Sequence, residues 1–155
     1  MARYDSIRNL GHKQWFANVG KRIAPPMDRA IIKLSGGRLR TGKKGVVPTC
    51  LLTHTGRKTG RTRQTPLLFI EDGDALIVVG SNWGQEHDPA WALNLLDDPE
   101  AVVQVGKRHW NVVARVTDGE ERQRLWAELL QVWPAYDTYA KRSGRQIKVF
   151  ALDPA

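Results

Sequence analysis

Between Thr53 and Leu67 the chain reads Thr-His-Thr-Gly-Arg-Lys-Thr-Gly-Arg-Thr-Arg-Gln-Thr-Pro-Leu. Arg57, Lys58, Arg61 and Arg63, with Gly56 and Gly60, thus stand between two apolar runs, Val46–Leu52 and Pro66–Ile70. Clustered guanidinium and ammonium groups bind phosphates and carboxylates, and glycine lets the backbone turn tightly and approach a ligand. A hydrophobic core gains nothing from such a loop. An anionic ligand does.

Other candidate chemistry is weaker. Gly37-x-x-x-x-Gly42-Lys43 matches the opening of a phosphate-binding P-loop. Lys44, however, occupies the place of the Ser or Thr that would hold magnesium, and Gly45-Val46-Val47-Pro48 follows where a helix should start. An ATP or GTP site is not expected. His12, His54, His87 and His109 show no metal-ligand spacing and no cysteine partners, so no metal is expected. Ser81 and His87 have the residue types of a nucleophile and base, but no Gly-x-Ser-x-Gly elbow surrounds the serine. A hydrolase ranks third among the catalytic readings.

The loop needs strands to hold it. Val46–Thr55 and Gln64–Ile70 are rich in apolar and β-branched residues, and Asp72-Gly73 offers a tight turn into a strand over Ala75–Gly80. Val102–Val105 and Trp110–Val116 form a second hairpin around Gly106-Lys107, and Ile147–Leu152 is a last strand. Asp88-Pro89 predicts a helix start, with Asp88 as the side-chain cap, running to about Leu96. Thr117-x-x-Glu120 has the form of a capping box. Leu125, Leu129 and Trp133 then recur every four residues, with Trp126 and Leu130 beside them, as on a core-facing helix. Pro134 breaks that helix and sends Tyr136 and Tyr139 in a new direction. The expected fold is α+β: a split β-barrel of about six mainly antiparallel strands with peripheral helices.

Two domains of unlike character are expected, an arm over 1–45 and the barrel over 46–155. In the arm, Trp15, Phe16, Val19 and Ile23 recur at helical spacing before Pro25-Pro26. Ala30, Ile31 and Leu34 suggest a second short helix, and 35–45 a basic connector. Net charge is +8 over 155 residues. Residues 1–50 hold 11 Lys/Arg against two acids, Asp5 and Asp28, so the whole excess lies in the first third. Such asymmetry suits an anionic partner, here the surface of an anionic membrane, or a solvated arm. Single-strand nucleic acid is not the expected partner, because Trp126 and Trp133 fall on a helix core face and Trp110 in an alternating strand. Cys50 is the one cysteine, which excludes an intrachain disulfide and fits a reducing cytoplasm, with peripheral contact at the inner face of the cell membrane. No secretory leader is read, and the apolar runs are too short to cross a bilayer.

Four motifs, in order, then carry a resemblance. They are Gly56-Arg57-Lys58-Thr59-Gly60 with Arg63 and Thr65-Pro66-Leu67; Val79-Gly80-Ser81-Asn82; Asp88-Pro89-Ala90-Trp91-Ala92-Leu93-Asn94-Leu95; and Trp133-Pro134-Ala135-Tyr136-Asp137-Thr138-Tyr139. Over roughly 46–152 the chain resembles the deazaflavin (F420)-dependent nitroreductase family of split-barrel oxidoreductases. The resemblance implies coenzyme F420 as cofactor, a deazaflavin ring bearing a phosphate and an oligoglutamate tail. It implies that Arg57, Lys58, Thr59, Gly60 and Arg63 hold the anionic tail and phosphate. Thr65, Pro66 and Leu67 would line the ring from one strand, Val79, Gly80, Ser81 and Asn82 from another, with Ala90 and Trp91 nearby. Ser81, Tyr136 and Tyr139 would orient a quinone or nitro acceptor during hydride transfer. Leu68 replaces a tyrosine of the family pattern, Trp133 another, and Asn82 a frequent lysine, so the acceptor pocket departs where the anionic cradle does not. FMN is the alternative cofactor, and a non-enzymatic deazaflavin carrier or nucleic-acid-binding barrel the alternative role. Both monomer and homodimer are open.

Overall fold

A computed structural model describes residues 48–155. The arm over 1–45, the two helices expected in it and the start of the first expected strand lie outside these residues. Among the described residues one seven-stranded, wholly antiparallel sheet runs in the order β2-β1-β5-β6-β7-β4-β3. Its strands are β1 (Thr49–Thr55), β2 (Thr62–Leu68), β3 (Ile70–Asp72), β4 (Ala75–Val79), β5 (Glu100–Val105), β6 (Arg108–Val116) and β7 (Val149–Pro154). Three α-helices accompany it: α1 (Ala90–Asp97), α2 (Gly119–Val132) and α3 (Ala135–Ser143). The α+β split-barrel expectation holds.

The sheet curls because β2 and β3 are consecutive in sequence yet sit at opposite edges. The single strand expected over Gln64–Ile70 is therefore two. Phe69 is the break: its side chain is buried and its N–H donates to the Pro48 carbonyl at 3.1 Å. This accounts for a seventh strand. The turn into β4 falls on Gly73 and Asp74, one residue later than expected, with Gly73 at φ 60° and Asp72 paired to Ala75. Gly106, also left-handed, turns β5 into β6 as expected.

Each face of the sheet carries a core. Cys50, Leu52, Val78, Val103, Val112, Phe150 and Leu152 form one, closed by Trp91, Ala92 and Leu95 of α1. Ile77, Val79, Val149 and Ala151 face the other way onto Leu125, Leu129, Trp133, Tyr136 and Tyr139. Alternation along β4 and β7, with every residue of β4 buried, explains why these strands read as continuous apolar runs. Leu125, Leu129 and Trp133 lie where the four-residue spacing put them. Cys50 is fully buried, and burial pushes its thiol up to about 12, so it is an inert packing group.

Two cap expectations fail. Helix α1 begins at Ala90 with Pro89 at the cap position and no side-chain cap. Asp88 instead pairs with Arg145 and Lys148. Helix α2 begins after Asp118, and the Thr117 hydroxyl donates to the Val149 carbonyl at 3.0 Å, tying the chain to β7 rather than capping. A charged or backbone partner from a distant element outcompetes the local cap in both places.

Candidate functional site

The cationic loop spans the six residues between the paired ends Thr55 and Thr62 of the first hairpin. Two backbone bonds close it: Gly56 N–H to the Arg61 carbonyl at 2.8 Å, and Gly60 N–H to the Gly56 carbonyl at 2.7 Å. Gly60 sits at φ 69°, a conformation L side chains rarely adopt. A Cβ on Gly56 would lie 3.2 Å from the Arg61 carbonyl oxygen and 3.4 Å from the Arg63 Nε, a tight fit that the loop would have to shift to accept. Arg57, Lys58, Arg61 and Arg63 are all exposed. Among the described residues none of these four forms an ion pair, whereas Arg115, Arg124, Lys141, Arg145 and Lys148 all do. Four cations with no carboxylate partner, three on the closed turn and Arg63 on the adjoining β2, make a ready acceptor for a polyanion.

Helix α1 joins this loop to the second motif. At its far end the Arg57 backbone N–H donates to Asn94 Oδ1 at 3.0 Å. At its start, Pro89 and Ala92 lie within van der Waals reach of a Cβ on Gly80, 3.7 Å from each. Gly80 follows β4 and opens a loop of unusual backbone. Asn82, Trp83 and Gly84 are consecutively left-handed, at φ 47°, 56° and 81°. Two of the three are not glycine, and such conformations persist only where the surroundings enforce them. Arg145 does so. Its guanidinium donates to the carbonyls of Gly80 (3.0 Å), Ser81 (3.3 Å) and Gln85 (3.1 Å), and to Asp88 Oδ1 at 2.8 Å. Lys148 holds the other Asp88 oxygen at 2.7 Å, and Asn82 Nδ2 donates to the His87 carbonyl.

The loop also reaches the late aromatic segment. Trp83 meets Tyr139 edge-on at 6.2 Å between centroids, and Tyr139 meets Tyr136 at 6.4 Å. Leu68, at the end of β2, packs against the same cluster. Thus Ser81, Asn82, Tyr136, Tyr139 and the end of β2 share one region, while Arg57–Arg63 lie at the other end of the hairpin. Both phenols are deep: Tyr136 is 6% exposed and Tyr139 1%. Burial raises both above the ordinary tyrosine value, Tyr136 further through Tyr139, while the Trp133 indole and Arg142 partly offset it for Tyr139. They are hydrogen-bond donors, not acids. Tyr139 Oη is buried without a partner of good geometry, the Trp133 indole included. Trp91 points into the first core, its ring 5.4 Å from Phe150, and Ala90 is exposed at the helix start.

A cavity of about 410 Å³ opens over β1, β5 and β6 at the base of the cationic hairpin, lined by His54, Thr55, Thr62, Glu100, Val102 and Asn111 among others. None of the ring-lining candidates borders it.

The F420H(2)-dependent quinone reductase family model matches residues 27–154. This chain belongs to that family. An F420H(2)-dependent quinone reductase of Mycobacterium tuberculosis is 33% identical over 127 residues, 79% of this chain and 85% of the relative. A second protein of that organism, provisionally given the same name, is 38% identical over 117 residues, 76% of this chain and 98% of the relative. A solved F420-H2 dependent reductase, FDR-A, superposes with a TM-score of 0.64 at 33% identity, covering 68% of this chain and 94% of its own. F420H(2)-dependent quinone reductases are oxidoreductases that use coenzyme F420, and the cationic hairpin fits that cofactor's phosphate and oligoglutamate tail.

The sequence of this F420H(2)-dependent family member gives no structural role to three residues of the site, although His54 and Asn94 stand in stretches it singles out. Arg145 lies in a polar tail after α3 with no motif. His54 and Asn94, each 5% exposed, are polar groups on core-facing positions of β1 and α1. A polar residue on an otherwise apolar face of its element was the available signal for both.

Proposed function

We propose that this protein passes a hydride from reduced F420 to a quinone, with the cationic hairpin holding the cofactor's acidic appendage. The carrying observation is the set of four exposed cations, three on a closed turn and Arg63 on the adjoining β2, with no carboxylate partner among the described residues. When bound, reduced F420 supplies two electrons as a hydride, so the protein itself needs no redox group. Arg57, Lys58 and Arg63 bind the phosphate and carboxylates, Lys58 as a point charge and the arginines as forked donors. Thr65, Pro66 and Leu67 on β2, and Val79, Gly80, Ser81 and Asn82 after β4, flank the ring, with Ala90 and Trp91 supporting that wall. Ser81, Tyr136 and Tyr139 orient the acceptor and donate hydrogen bonds to the oxygen that gains charge. The apolar walls of Leu68 and Trp83 exclude water. The quinone leaves as hydroquinone after gaining the hydride and a proton, which solvent provides.

An anaerobic titration tests this. Protein mixed with reduced F420 and menadione should oxidise the cofactor with turnover, and FMN should neither bind comparably nor substitute. Tight binding of reduced F420 without oxidation by any quinone would instead make the protein a carrier. A nitro acceptor in place of menadione tests the wider acceptor class.

The basic first third supports a second element of the proposal, docking of a cytoplasmic enzyme on anionic lipid, which would bring it to a lipid-soluble quinone. Vesicle sedimentation of the full chain against a version without residues 1–34 tests it; equal pelleting removes it.

A further inference from the structure

Behind the cationic loop runs a hydrogen-bond chain whose polarity is set at one end. The Arg57 backbone N–H donates to Asn94 Oδ1 at 3.0 Å, and the Arg57 guanidinium reaches the same oxygen at 3.4 Å. A backbone N–H only donates, so the Asn94 oxygen faces the loop and its amide nitrogen faces inward. That nitrogen lies 3.2 Å from His54 Nδ1. An amide nitrogen also only donates, so Nδ1 accepts and the imidazole proton sits on Nε2. Nε2 is 3.0 Å from Thr65 Oγ1, on the strand opposite β1. The Thr65 oxygen therefore accepts a hydrogen bond from His54 Nε2–H, and its own O–H must donate elsewhere. A second proton, on Nδ1, would set donor against donor at Asn94.

We propose that His54 and Asn94 are positioning residues: the chain from Arg57 through Asn94 and His54 commits the Thr65 hydroxyl to donating to an acceptor oxygen of the bound cofactor. The same chain fixes the backbone of Arg57, so the cation and the hydroxyl are set together, from loop and strand, by one buried unit. Both linking side chains are 95% or more buried, with His54 bordering the cavity over β1, β5 and β6, and burial strengthens the bonds between them. The inference rests on the F420 reading of the site, and part of its test does not. The two histidine nitrogens are chemically distinct, so the tautomer is directly measurable.

Nitrogen NMR of histidine-labelled protein without cofactor, at neutral pH, should show His54 with a bare Nδ1 and a protonated Nε2. The opposite tautomer or a doubly protonated ring overturns the chain. Fluorescence titration with F420 then follows. Thr65→Val should weaken binding about three- to tenfold, as for loss of one neutral hydrogen bond, and Thr65→Ser should restore it. Asn94→Ala should also weaken binding, and adding Thr65→Val to it should cost little more, because both act through one chain. Thermal unfolding of each variant reports whether Asn94→Ala still folds; the Thr65 variants, on an edge strand, carry the test if it does not. Wild-type protein that fails to bind F420 overturns the functional reading and Thr65's role with it. Wild-type binding matched by Thr65→Val overturns this inference alone.

Discussion

Arg145 and Asp88, 57 residues apart in sequence, meet at 2.8 Å and are 16% and 13% exposed. The pair anchors a guanidinium that also donates to three carbonyls of the Gly80–Gln85 loop. It is the main restraint on a loop whose backbone is otherwise unfavourable. Removing Arg145 leaves Asp88 with Lys148 alone and three loop carbonyls without their donor, at a cost of roughly 3 kcal/mol. Arg145→Met should therefore lose about that much stability in urea unfolding and raise the KM for quinone as the Ser81 loop relaxes. A loss under about 0.5 kcal/mol, the range of surface substitutions, would mean that the clamp is incidental.

Gly84 and Gly73 separate backbone strain from crowding. Both are left-handed, but a Cβ on Gly73 meets nothing within 4 Å, while one on Gly84 lies 3.1 Å from the Tyr139 Cα. Gly73→Ala should cost about 1 kcal/mol. Gly84→Ala should cost at least about 1 kcal/mol more, because neither backbone can yield freely. Thermal or urea unfolding reads both; equal losses would show that the loop moves away from α3.

Tyr139 carries a buried hydroxyl with no partner of good geometry. Such a group costs stability of the order of 1–3 kcal/mol. Tyr139→Phe should leave stability equal or higher while lowering quinone turnover, the pattern of a residue kept for chemistry. Unchanged turnover returns Tyr139 to the core packing set.

Acid stability has assignable sources. Arg124 holds Asp72, and Arg115 holds Glu121, below the usual carboxylate range, in each case chiefly through guanidinium hydrogen bonds. A carboxylate depressed on folding contributes above its unfolded value, and that contribution fades as pH falls through the folded value. Both pairs are exposed, so each effect is small. Asp72→Asn with Glu121→Gln should flatten the acid limb of the stability–pH curve and leave its shape above the carboxylate range unchanged. An unaltered acid limb would remove these pairs as its cause.

The cationic loop was legible because its pattern is local: charges and glycines adjacent in sequence stay adjacent on a hairpin. Helix α2 was legible for the same reason, since Leu125, Leu129 and Trp133 fix one another's face. The failures share a physical cause. Asp88 reads as a cap until Arg145 and Lys148 arrive from 57 and 60 residues away. Thr117 reads as a capping box until β7 offers the Val149 carbonyl. Nothing near Phe69 announces that its N–H will bond Pro48 and split a strand in two. His54 and Asn94 are polar residues on the buried faces of a strand and a helix, and their meeting 40 residues apart is not written in either local pattern.

Calorimetric titration of F420, set against the same deazaflavin lacking its phosphate and glutamates, tests most directly whether the hairpin cations hold the acidic tail. Intact F420 should bind at least tenfold more tightly, the difference should shrink with added salt, and Lys58→Ala with Arg63→Ala should abolish most of it. Equal affinity for the two ligands, or an advantage untouched by the double substitution at low salt, would contradict the account.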